Sequence, residues 1–145
     1  MMLVKVLFTA HATAVGGRNG HTQSDDGIVS VDLSRPKELG GITGKPGGTT
    51  PEHLFAAGYA ACFSSACEFA SRQLKITPTR IEIKAAVGIG TREVPGFGLK
   101  VDLIANISGL SSADAEKLVH AADQVCPYSN AIRGNVEVGI TVNAV

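Results

Sequence analysis

The sequence predicts an α+β fold with a mostly antiparallel sheet, on three observations. Apolar–polar alternation of period two marks strands near 4–13, 28–34, 80–89 and 99–107, and again in the closing "NVEVGITVNAV". Two longer stretches, 51–74 and 109–126, carry helix signatures instead. Their order along the chain is roughly ββ-α-ββ-α-β, with turn signals between neighbouring strands and no internal repeat.

The first two strands, "VKVLFTAHAT" and "IVSVDLS", are separated by Asn19-Gly20 and by Asp25-Asp26-Gly27, both strong turn formers. A Gly/Pro-rich connector without periodicity, "ELGGITGKPGGTTPEH", leads to a helix start. There Thr50 can cap, Pro51 suits the first helical position, and Glu52 complements the positive helix end. The helix from Pro51 to about Leu74 is apolar on nearly every face until Ala70, which predicts burial on most sides. Its many small residues permit close approach of another element, and with the glycine-rich connectors this points to packing against a second copy of the chain. Strands at 80–89 and 99–107 follow as a hairpin linked by "GTREVPGFG". The second helix begins at Ser111, which with Asp114 forms a short-armed capping box. Its apolar positions Ala115, Leu118, Val119, Ala122 and Val125 recur at i, i+3, i+4 and i+7. It stops at Cys126, because Pro127 disfavours helical geometry in the residue before it.

At 145 residues the chain is expected to form a single domain spanning 1–145. Thirteen basic and thirteen acidic residues cancel, so no field for nucleic acid or an anionic membrane is expected. The opening apolar run is too short for a secretion signal and has no basic stretch before it. No segment approaches the ~20 apolar residues of a membrane span. The expectation is a soluble cytoplasmic protein without nucleic-acid or membrane partners.

Three cysteines, Cys62, Cys67 and Cys126, invite three uses: metal binding, inert burial or redox chemistry. Metal is disfavoured. Cys62 and Cys67 lie five residues apart, about 140° around a helix, and no histidine shares their face at helical spacing. The same rotation excludes a disulfide between them within a regular helix. Cys67 reads as a buried small hydrophobe. Cys62 and Cys126 stay open between two core cysteines and a tertiary redox pair. The pair would need a fixed thiolate, with a cation beside it, and a mobile partner. Cys126, ahead of a proline and a short polar loop, is placed to move without unravelling the core. Among the arginines, Arg18 in "VGGRNGH" stands out, because flanking glycines let its backbone approach another group closely. Its bland alternative is a simple turn. Glu52 can serve as a helix-end charge or hold an arginine bidentately.

Taken together these stretches resemble the Ohr (organic hydroperoxide resistance) class of the OsmC/Ohr superfamily. "ATAVGGRNGH", "PKELGG", "TTPEHLFAAGYAACF", "VGIGTREVPGFGL" and "QVCPYSNAIRGNVEV" match in order from about residue 10 to 140. The most specific are "GYAACF" and "VCPYSNA". The resemblance implies an intertwined α+β homodimer with long central helices and active sites at the subunit interface. It implies that Cys62 is the peroxidatic cysteine and Cys126 the resolving one, that Arg18 activates the thiolate, and that Glu52 positions Arg18. It further implies an organic hydroperoxide substrate, a Cys62–Cys126 disulfide, no bound cofactor, and reduction by dihydrolipoyl groups of a lipoylated protein. Glu52 and Cys62 are ten residues apart, about 15 Å along one helix, so a direct contact within that helix is not expected. An Arg18–Glu52 pair beside a thiolate is satisfied most easily across a dimer. The apolar neighbours Leu54, Phe55, Phe63, Phe97 and Tyr128 suit alkyl hydroperoxides, or else are plain core. Two rival expectations are a thiol redox sensor and an OsmC-like binding protein with little turnover.

Overall fold

The computed structural model describes residues 2–41 and 47–145, and these form two compact units, Met1–Pro51 and Glu52–Val145. The middle of the Gly/Pro-rich connector, residues 42–46, lies outside the described residues.

The first unit carries a three-stranded antiparallel sheet: β1 (Ala12–Val15), β2 (His21–Ser24) and β3 (Ser30–Asp32). Both predicted turns are present, but a strand lies between them. The period-two pattern missed β2 because "HTQS" has no apolar residue to alternate. Its backbone pairs with β1 on one side and β3 on the other, and polar side chains add contacts across to β3. His21 Nδ1 meets Asp32 Oδ1 at 2.9 Å, and His21 Nε2 meets Ser30 Oγ at 3.1 Å. The predicted first strand is shorter than expected. Residues 2–11 join no strand, and Leu3 and Phe8 stand 99% and 84% exposed. Between β1 and β2 the chain makes a tight 3₁₀ turn at Gly17–Asn19. Gly16 and Gly17 adopt φ of 85° and 57°, the left-handed region that suits glycine.

Helix α1 (Pro51–Leu74), all but its first residue in the second unit, agrees in its bounds with the sequence expectation. Hairpin β4 (Arg80–Thr91) and β5 (Phe97–Ser108) pairs from Arg80↔Ser108 to Thr91↔Phe97. Helix α2 (Ser112–Val125), a six-residue α3 (Pro127–Ile132) and β6 (Glu137–Ala144) complete it. The last strand runs parallel to β5, because α2 and α3 return the chain to the end from which β5 started. A polar ladder across the three strands links Glu82, Asn106 and Asn143, with bonds of 2.9 and 3.0 Å.

The core of this unit follows from the two periodicities. Val101, Leu103, Ala105 and Ile107 alternate inward from β5. They meet Tyr59, Phe63, Ala66, Cys67 and Ala70 of α1 and Ala115, Leu118, Val119 and Ala122 of α2. Ser111 caps α2 as expected, its hydroxyl accepting the Asp114 N–H at 3.1 Å. Val125, read from the sequence as the next core position, is 43% exposed, since it falls on the last residue of the helix beyond the covered stripe. Helix α1 is less covered than its composition implies: Ala57, Ala61, Ser65 and Phe69 form an exposed i, i+4 row. Among the described residues, no helix is long and apolar enough to cross a membrane.

Candidate active site

The second unit brings Cys62 and Cys126 together. Cys62 lies mid-way along α1, half-buried. Cys126 is the single extended residue between α2 and α3, with φ −67° and ψ 120°, and is fully buried. Its S–H points to the Cys62 sulfur at 3.8 Å. A disulfide needs about 2.05 Å, so these are two thiols in contact and not a bond. Proline at 127 acts twice. It holds Cys126 in extended geometry and then occupies the first position of α3, where its missing N–H costs nothing. A helix therefore stands where a polar loop was expected after Cys126.

The chemistry of Cys62 is set by opposing influences. Burial raises its pKa above the ordinary thiol value, and the neighbouring Cys126 raises it further. The backbone N–H of Tyr128, donated to the Cys62 sulfur, pulls the other way. Cys67 is fully buried, and burial pushes its thiol up to about 12. It is a neutral core side chain, in keeping with its sequence reading.

An open groove of about 650 Å³ runs beside Cys62, lined by Ser65, Phe69, Gln124, Val125, Pro127 and Asn130 among others. Of the aromatics read from the sequence, Phe55 and Tyr128 meet edge-on at 5.8 Å between ring centres. Phe63 is core, and Phe97 lines a separate cavity at the β4–β5 hairpin. The residues missed from sequence are Gly58 and Tyr59, one turn before Cys62, and Phe69, two turns after it. Their i−4, i−3 and i+7 spacing from Cys62 was the available signal.

Arg18 sits on the 3₁₀ turn of the first unit. Glu52 occupies the first turn of α1 in the second unit, about 15 Å along the helix from Cys62. Glu52, Cys62 and Cys126 thus belong to the second unit and Arg18 to the first, and the two cysteines are in contact within theirs.

Fold and site together define an α+β protein with a contacting pair of free thiols at a helix junction. The sequence model of the OsmC-like protein family matches residues 43–141. The organic hydroperoxide resistance protein of Xanthomonas axonopodis pv. citri is 50% identical over 140 residues, covering 95% of this chain and 96% of that protein. Organic hydroperoxide resistance protein OhrB of Bacillus subtilis is 46% identical, covering 91% and 95%. The crystal structure of an organic hydroperoxide resistance protein from Elizabethkingia anophelis superposes with a TM-score of 0.91 at 48% identity, covering 98% and 100%. The chain belongs to the OsmC/Ohr family and, at this identity, to its Ohr class.

Proposed function

We propose that the protein is a two-cysteine peroxidase that reduces organic hydroperoxides to alcohols. The observation that carries this reading is the 3.8 Å contact between Cys62 and Cys126 beside an open groove whose wall includes Phe69, Val125 and Pro127. The names of its relatives, organic hydroperoxide resistance proteins, point the same way. The Cys62 thiolate attacks the terminal oxygen of the hydroperoxide. The O–O bond breaks, the alkoxide takes a proton and leaves as the alcohol, and Cys62 becomes a sulfenic acid. The Cys126 sulfur then attacks the oxidised sulfur, forming the disulfide and releasing water. Two thiols of a dihydrolipoyl group on a carrier protein reduce that disulfide by exchange, becoming a cyclic disulfide themselves.

Since burial holds the Cys62 pKa high, a thiolate at neutral pH needs a positive charge beside it, and Arg18, oriented by Glu52, is the proposed source. The active form is a homodimer. In support, the apolar stretch 2–8 and the Ala57–Ala61–Ser65–Phe69 row of α1 are exposed in the single chain, and a second copy would cover such surfaces. A reducing cytoplasm suits thiols that must cycle back after each turnover.

Stopped-flow reduction of cumene hydroperoxide, with dihydrolipoamide as reductant, tests the reading. Wild type is expected to turn over, Cys62→Ser to lose turnover, and one equivalent of peroxide to produce a Cys62–Cys126 bond seen by peptide mass. Full turnover by Cys62→Ser, or a Cys62–Cys67 bond in place of Cys62–Cys126, would overturn it.

A further inference from the structure

Besides the two cysteines, a second link joins α1 to the α2–α3 junction. Tyr59 Oη and Ser129 Oγ share a hydrogen bond of 2.6 Å, with the two residues 0% and 3% exposed. The spacing repeats that of the cysteines: Tyr59 precedes Cys62 by three residues, and Ser129 follows Cys126 by three. Burial raises the Tyr59 pKa, so its hydroxyl stays protonated and able to donate. Between the two links lies Tyr128. Its backbone N–H reaches the Cys62 sulfur, and its ring packs against Phe55 and Tyr59. The ring also passes so close to Gly58 that a Cβ there would stand 2.8 Å from Tyr128 Oη. Arg133, by contrast, ties α3 to α2, bonding the Asp123 carbonyl at 2.7 Å and Asn130 Oδ1 at 2.6 Å. That clamp keeps the junction rigid within itself but does not determine where it sits on α1.

We propose that Tyr59 and Ser129 are positioning residues for disulfide formation. Their hydrogen bond fixes the start of α3 on α1, holding the Cys126 sulfur and the Tyr128 N–H against Cys62. Cys126 has one extended residue's freedom between two helices, so the placement of α3 sets the direction from which its sulfur approaches. Neither hydroxyl touches the reacting atoms. This inference rests on the dithiol reading above and concerns its second step, the condensation of the Cys62 sulfenic acid with Cys126.

The test uses Tyr59→Phe and Ser129→Ala, each removing one oxygen, and the double variant. Two oxidants are compared, each trapped over time and read by mass: cumene hydroperoxide, with dimedone capturing sulfenic acid, and hydroxyethyl disulfide, which leaves a mixed disulfide on Cys62 by exchange. In each single variant the Cys62 sulfenic acid, read as the fraction dimedone still captures when added at successive times, and the Cys62 mixed disulfide are each expected to persist about tenfold longer before Cys126 displaces water or the small thiol. The rate at which the adduct forms changes less. The double variant is expected to be no slower than either single one, since the same bond is already gone. Wild-type adduct lifetimes in both single variants, accompanied by a lower melting temperature, would leave the bond a structural one and overturn the proposal. Should the wild type react with the disulfide but not with the hydroperoxide, the peroxidase reading fails, and the exchange arm still measures the positioning effect.

Discussion

Replacing Gly58 by alanine sets two effects of opposite sign against each other on one helix position. Alanine in a helix interior is favoured over glycine by about 1 kcal/mol. The new Cβ would lie 2.8 Å from Tyr128 Oη and 3.3 Å from two of its ring carbons, the nearest contact roughly 0.6 Å inside ordinary van der Waals separation. Phe55 and Tyr59 pack against the ring with centres 5.8 and 5.7 Å distant and restrict its movement on that side, while its other side is open to solvent. Overpacking of this kind costs about 1–3 kcal/mol, so the net effect on stability is expected between roughly neutral and 2 kcal/mol destabilising. The effect on chemistry is larger in proportion. Pushing Tyr128 outward moves the chain two residues from Cys126, whose sulfur must close from 3.8 Å to about 2.05 Å. A misplacement costing about 1.4 kcal/mol slows disulfide formation tenfold. Urea unfolding and quenched-flow mass analysis of the Cys62–Cys126 bond read the two effects separately. A Gly58→Ala protein stabilised by the full helix-propensity gain, with the disulfide forming at the wild-type rate, would refute the reasoning.

Two further outcomes follow from the same structure. The thiol of Cys67 is raised to about 12 by burial, so its contribution to stability is fully present below the ordinary thiol value of 9.0 and is lost as pH rises toward 12. The loss is on the order of 4 kcal/mol at most. Urea midpoints measured from pH 8 to 11 are expected to fall more steeply for wild type than for Cys67→Ala, and equal slopes would show that the thiol does not drive the change. Ser111→Ala removes the cap of α2, a bond of 3.1 Å from the Asp114 N–H, and is expected to cost about 1 kcal/mol in the same assay while leaving peroxide turnover intact.

How much of this was readable beforehand differs by element. Helix α1 was legible in its start and its approximate end, because Pro51 marks the first and the proline-free run of helix formers continues to about Leu74. The cap at Ser111, the stop before Pro127 and the inward row of α2 up to Ala122 were equally legible. All of these depend on groups within a few residues of one another, so composition and spacing report them directly. Strand β2 was not legible, since its backbone pairs with β1 and β3 without an apolar rhythm to mark it, and its cross-strand contacts through His21, Ser30 and Asp32 are polar. Nor was the parallel placement of β6, which depends on where two helices return the chain.

The site divides along the same line. Sequence alone singled out Cys62 and Cys126 as the cysteines worth joining, and set Cys67 aside, by helix rotation, proline placement and family resemblance. Only the tertiary structure could decide that the two sulfurs are already in contact, that Cys126 is buried between two helices with no loop after it, and that Tyr59 and Ser129 meet across 70 residues. The physical reason is distance along the chain. A contact between residues so far apart depends on how whole helices pack, and packing is set by the summed shape of many side chains, none of which announces its partner.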